Sequence, residues 1–143
     1  MNALSKDFAA QLNEVERHML AMPQLPFEII HRFGPGLYIR EATMPAGSFV
    51  IGHHHKTEHL NIMLTGRMTL ITGDGEVREL TAPYMYTAPP GRKAAHIHED
   101  VTWLNIHATN ETDIEKLEDE LLFKSEEWHA AQPAALEYKL ESV

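Results

Sequence analysis

From Phe27 to His107 the chain is interrupted at short intervals by turn-forming residues, and the segments between them lack helical periodicity. The interruptions are Gly34-Pro35-Gly36, Pro45-Ala46-Gly47, Gly66, Gly73-Asp74-Gly75, Pro83 and Pro89-Pro90-Gly91. The intervening runs are rich in β-branched and aromatic residues, which suit a pleated, half-buried surface. Strands are expected near 27–33, 37–44, 48–56, 59–65, 67–72, 76–81, 84–88, 93–98 and 101–108. Many short strands at this spacing, with no helices between them, predict an all-β antiparallel sandwich or barrel. Gly73-Asp74-Gly75 is the strongest hairpin signal, because Asp-Gly tolerates the positive φ that tight hairpin turns require.

Both flanks read as helix. Residues 5–21 carry Phe8, Leu12, Val15 and Met19 on one stripe, with Ser5 as an N-cap and Pro23 and Pro26 ending the run. After Asn110, Thr112 and Glu115 have capping-box spacing, and Ile114, Leu117, Leu121 and Leu122 form a second stripe. Glu115, Glu118, Asp119 and Glu120 make its solvated face. A last segment, Ser125 to Val143, carries Trp128, Tyr138 and Leu140 and is expected to dock on the barrel or on a neighbour. At 143 residues the chain is expected to form one domain, 1–143: helix and linker over 1–26, barrel over 27–109, helical tail over 110–143.

Charge and composition narrow the function. The formal net charge of -9 argues against nucleic acid as a partner. Residues 111–143, with ten acidic and three basic side chains, hold most of it. No apolar run approaches the ~20 residues of a membrane span, and residues 1–11 do not read as a secretory signal. A cytoplasmic protein with no membrane partner is expected. Cysteine is absent, so any metal must sit on nitrogen and oxygen.

Against that background, His53-His54-His55-Lys56-Thr57-Glu58-His59 places four of the ten histidines in seven residues. Strand alternation puts His53 and His55 on one face and His54 on the other. A turn over 56–58 would bring His59 to the same side, so that three imidazoles converge as a divalent transition metal requires. His18, His31 and His129 read as surface or interface residues. The strand face of His107 is not fixed by the sequence.

The run Gly47, five residues, His53, one residue, His55, three residues, His59, six residues, Gly66 resembles the first cupin motif. Pro89-Pro90-Gly91-Arg92-Lys93-Ala94-Ala95-His96 resembles the second. The resemblance implies a cupin double-stranded β-helix, a jelly-roll barrel. It departs from the usual pattern in having His59 where a glutamate is common and Ala94 where the second motif's histidine falls. The resemblance is therefore to cupins with four histidines. It implies metal ligands His53, His55, His59 and His96, with His98 as the alternative to His96. Asn61, Tyr84, Tyr86, Trp103 and His107 are candidate pocket residues. His98-Glu99-Asp100-Val101-Thr102-Trp103 and Ile106-His107-Ala108-Thr109 also resemble a group of small phage- or prophage-encoded proteins.

Four neutral imidazoles would leave a divalent ion its full charge, favouring anionic ligands. Iron, manganese, nickel, copper and zinc all suit nitrogen ligands. The expected function is a small metal-dependent enzyme, a dioxygenase or a lyase or isomerase, acting on a small oxygen-bearing molecule. No residue stands out as a general base. The alternative is a non-catalytic module that binds a metal or ligand, or a phage accessory protein. A homodimer is expected, with the N-terminal stripe as a candidate cover for exposed strand edges.

Overall fold

The computed structural model describes residues 3–25 and 27–131, with side chains from Phe8 onward. Helix α1 (Ala3–Leu20) leads into nine strands: β1 (Glu28–Gly34), β2 (Leu37–Met44), β3 (Phe49–Ile51), β4 (His54–His55), β5 (His59–Ile71), β6 (Val77–Thr81), β7 (Tyr84–Ala88), β8 (Ala94–Ala108) and β9 (Leu122–Phe123). Helix α2 (Ile114–Leu121) precedes β9, and a further helical turn covers 126–131. Tyr138 and Leu140 lie outside the described residues.

Two long strands form the spine. β5 and β8 pair antiparallel along most of their length. The first half of β5 also pairs with β7 and its second half with β6. The first half of β8 takes β3 and its second half takes β2, which is edged by β1. Each long strand thus serves both sheets of a jelly roll. The predicted break at Gly66 is a bend within one strand. Gly66 has φ +89°, and the β5–β8 register shifts between Met63 and Met68. A Cβ at this position would collide with the Asp100 carbonyl oxygen on β8, so the close crossing requires glycine.

The core between the sheets includes Met44, Met63, Met68, Leu70, Leu80, Ile97, Val101 and Trp103. Full burial of a side chain of this kind contributes about 1.5–3 kcal/mol of transfer free energy. The Gly73–Gly75 hairpin forms as expected, with the Thr72 amide donating to the Glu76 carbonyl at 2.9 Å. The expected strand over 48–56 is instead split at Gly52–His53 into β3 and β4.

Both helices pack on this barrel. The N-cap of α2 is Asp113, which accepts from the Lys116 amide; Thr112 does not fill that position. Leu117 and Leu121 bury against Tyr38 of β2, closing one end of the barrel. Ser5 lies inside α1, not at its cap. Leu12 of the α1 stripe is buried, whereas Val15 is 43% exposed. Arg92 fixes α1 to the barrel by donating to the Gly52 carbonyl (2.6 Å), Asn13 (3.0 Å) and Glu16. Ser125 also donates to Glu16, so one buried carboxylate joins α1, the barrel and the C-terminal turn. None of the helices is long and apolar enough to cross a membrane among the described residues.

Candidate functional site

The inner face of the β2–β8–β5 sheet is ordered in rows, set by strand register. Tyr38 pairs with His107, and His59 stands beside them at the start of β5. Two residues further along come Arg40, Asn105 and Asn61; then Ala42, Trp103 and Met63. Rows two residues apart lie ~7 Å from one another. The sheet therefore presents a histidine row, a polar row and an apolar floor, in that order.

His55 joins the histidine row from the opposite side. β4 is held by a pair of backbone hydrogen bonds between His55 and Gly91, at 2.9 and 3.0 Å, and by pairing with β9. The His55 ring stacks on His59 with centroids 4.1 Å apart and lies 5.5 Å from His107; His59 and His107 are 4.9 Å apart. One ring nitrogen from each of the three falls within 4.8 Å of the others, the one such group of three among the described residues. His107 is held by stacking on Tyr38, whose hydroxyl shares a 2.6 Å hydrogen bond with His31.

Electrostatics keep these rings neutral. Burial lowers the pKa of His55 to about 2, with the neighbouring His59 and Lys93 adding to the effect. Burial likewise lowers His107 to about 4, helped by His59 and Lys93. Burial lowers His59 too, opposed by the hydrogen bond from its Nδ1 to the Thr57 carbonyl at 3.0 Å. That bond places the proton on Nδ1 and leaves Nε2 as an acceptor, which the Lys93 ammonium reaches at 3.4 Å. The Nδ1 atoms of His55 and His107 are buried without a hydrogen-bond partner among the described residues. Neutral imidazoles with available lone pairs in one small volume fit a divalent transition metal.

A cavity of about 820 Å³ opens beside the cluster. His53, His55, Arg40, Lys93 and Asn105 line one part of it, and Met44, Met68, Leu70 and Trp103 another. Lys93 brings its ammonium to 3.4 Å from His59 Nε2, and burial lowers its pKa to about 8. Burial also lowers Arg40.

The described chain has the strand order and shared long strands of a double-stranded β-helix. The fold is that of the cupins. A cupin superfamily protein from Desulfitobacterium hafniense superposes with a TM-score of 0.50 at 12% identity, over 66% of this chain and 87% of the other. Ectoine synthase from P. lautus gives 0.56 at 12% identity, over 73% and 81%. A DMSP lyase from Ruegeria pomeroyi gives 0.52 at 20% identity, over 61% and 49%. No family model matches the sequence, and no curated protein matches it.

Within this cupin fold the histidines expected from the sequence part company. His55 and His59 lie in the cluster. His53 lines the cavity but stands apart from the group, its ring edge-on to Trp128 with centroids 5.3 Å apart. His54 is exposed. His96 is exposed on the outer face of β8, because its neighbours Ala95 and Ile97 point into the core. His98, the alternative, also faces outward, bonded to Thr69 at 2.6 Å and 3.8 Å from Glu79. Neither is near the cluster; His107, named in the sequence only as a pocket residue, takes that place.

Of the other pocket residues, Trp103 lines the cavity and Asn61 is fully buried, accepting from Asn105. Tyr84 packs on Tyr86, and both pack against the apolar core without lining this cavity. Burial pushes the Tyr86 hydroxyl up to about 12, so it stays protonated. Arg40 and Lys93 were not singled out from the sequence. Arg40 had a readable signal: on β2 it shares its alternation with the inward residues Tyr38, Ala42 and Met44.

Proposed function

We propose that this chain is a small metal-dependent enzyme whose divalent transition metal is held by His55, His59 and His107. The observation that carries this reading is the convergence of three neutral imidazoles, with nitrogens within 4.8 Å, at the edge of a cavity. Iron, manganese, nickel, copper and zinc all suit such ligands. A bound ion would supply a Lewis acid for polarising a substrate oxygen, or a binding place for dioxygen. His59 is oriented by the Thr57 carbonyl and His107 by Tyr38, so the ligands are set before any ion arrives. Lys93 is the residue suited to move a proton: its ammonium lies at the cluster and its pKa of about 8 is near neutrality. The reaction class is lyase, isomerase or dioxygenase chemistry on a small oxygen-bearing molecule. The same fold carries an ectoine synthase and a DMSP lyase, so the activity must be argued from the site.

A second reading, a metal- or ligand-binding module without turnover, is favoured by one observation. The histidine group contains no carboxylate, and the two glutamates lining the cavity are engaged elsewhere, Glu16 by Arg92 and Glu118 by Lys124. Elemental analysis of tag-free protein purified without a nickel column separates the outcomes, followed by turnover and oxygen-uptake screens of the loaded protein against small acids and diketones. About one divalent ion per chain with turnover supports the enzyme; one ion without turnover supports the module. Failure to bind any of the five metals rejects both metal readings.

The homodimer proposal moves to a different surface. α1 covers its own barrel, while the outer face of β7, β5, β8 and β2 presents Met85, Ile62 and Leu104 in one row and Leu60, Ile106 and Ile39 in the next. Light scattering should give a dimer for the parent and a monomer for Ile62→Glu. A monomeric parent overturns the proposal.

A further inference from the structure

The cavity holds more positive charge than its neighbours neutralise. Arg40 projects from β2 into it from the polar row, and among the described residues its guanidinium makes no hydrogen bond or ion pair. The Glu118 carboxylate acts on Arg40 only through space and is itself paired with Lys124 at 2.6 Å. Glu16 is bound by Arg92 and Ser125. Lys93 adds a second cation with no carboxylate partner among the described residues, at 3.4 Å from His59. A partly buried guanidinium without a counter-ion is costly in a folded chain, and its planar fork matches a carboxylate bidentately. This cationic pocket lies inside a chain whose net charge is -9.

The rest of the lining defines the body of the ligand. On the far side of the polar row from the histidines, register places Ala42 and Trp103, then Met44 and Val101. Met68 and Leu70 face them from β5. This part of the lining offers a ligand no polar partner, so it suits an acid with a hydrocarbon body better than a phosphate or a compact polyacid. At about 820 Å³ the cavity is within the range of small-molecule sites.

We propose that the cavity binds a monocarboxylic organic acid with an apolar body, its carboxylate held by Arg40 and its body against Trp103, Met44, Met68 and Leu70. As the ligand class of the proposed enzyme this rests on the metal-site reading; as a statement about binding it requires only Arg40 and the cavity. The test separates the two. Metal-stripped protein is titrated with benzoate, benzyl alcohol and inorganic phosphate, by calorimetry and by quenching of tryptophan fluorescence. Benzoate should bind saturably, at least tenfold tighter than benzyl alcohol, and phosphate should bind more weakly still. Arg40→Met should erase the preference for benzoate over benzyl alcohol while keeping the alcohol's affinity, and Arg40→Lys should restore part of it. The ligand comparison in the unmutated chain keeps the test decisive if Arg40→Met fails to fold. Equal affinity for benzoate and benzyl alcohol, or a preference unchanged by Arg40→Met, overturns the proposal. Repeating the benzoate titration with His55→Ala completes the design: retained benzoate binding with lost metal binding supports the anion site alone, and loss of benzoate binding in that metal-free variant counts against Arg40 as the anchor.

Discussion

The two halves of β8 both carry histidine, yet only one half delivers it to the cluster. His96 and His98 lie in the first half and face outward; His107 lies in the second half and is 5% exposed, beside His55 and His59. The difference is parity. Ala95, Ile97, Val101, Trp103, Asn105 and His107 are all buried, so the odd positions of β8 point inward on both sides of the exposed Glu99. Histidine content therefore says little about a site until the phase of the strand is known. The motif spacing points to His96, whereas the packing of β8 follows the core.

The largest expected effect tests this parity directly. His107→Gln and His55→Ala should each abolish one-to-one metal binding, measured by calorimetry on stripped protein. His96→Ala and His98→Ala should leave affinity within about threefold, because neither ring reaches the cluster. Comparable loss in His96→Ala would mean that the first half of β8 supplies the ligand.

Most of the barrel was legible because turn residues act locally. The Gly73–Gly75 hairpin, the β1–β2 turn and the apolar stripe of α2 need no knowledge of distant partners. The joining of 59–65 and 67–72 into β5 was not legible, since Gly66 reads as a break when its role is to let β8 pass close. In the site, His55 and His59 were visible from spacing alone. His107 was harder: the inward phase of β8 is set by Ile97 and Val101 across the Glu99–Asp100 segment, which reads as a turn but is continuous strand. Lys93 gave no signal, because its approach to His59 depends on how the 89–93 segment docks on β4.

A smaller effect follows from the charge states of the buried histidines. The pKa of His107 is lowered by burial to about 4, below its ordinary 6.5. Between these values the unfolded chain binds a proton that the folded chain refuses, so folding stability must fall as pH drops from about 6.5 toward 4. The stability is fully present above 6.5, and the loss is about 1.4 kcal/mol per pH unit for each such histidine. His53, also lowered by burial to about 4, adds to it, and His55 extends the window further down. Thermal unfolding of metal-stripped protein at pH 7 and pH 5 should show a drop that His107→Gln reduces. Equal drops in the parent and His107→Gln would place the acid sensitivity elsewhere.

The last contrast concerns why β5 and β8 differ. β8 returns to the same phase after the exposed Glu99–Asp100 segment, whereas β5 buries His59, Asn61 and Met63 before Gly66 and Met68 and Leu70 after it, a change from odd to even. The register shift at the bend absorbs that change, and it lets Met68 and Leu70 face the core from the second half of β5 although their parity differs from that of His59, Asn61 and Met63. Gly66→Ala faces two penalties: a positive φ, worth about 1–2 kcal/mol for a residue with a Cβ, and a collision with the Asp100 backbone that neither strand can relieve without moving. Gly47 has nearly the same φ, +85°, but open space around its Cβ position, so Gly47→Ala isolates the first penalty. In urea unfolding, Gly47→Ala should lose about 1 kcal/mol and Gly66→Ala roughly 3 kcal/mol or more. If the two losses are equal, the close approach to Asp100 costs nothing to relieve, and the phase change of β5 does not depend on glycine at its bend.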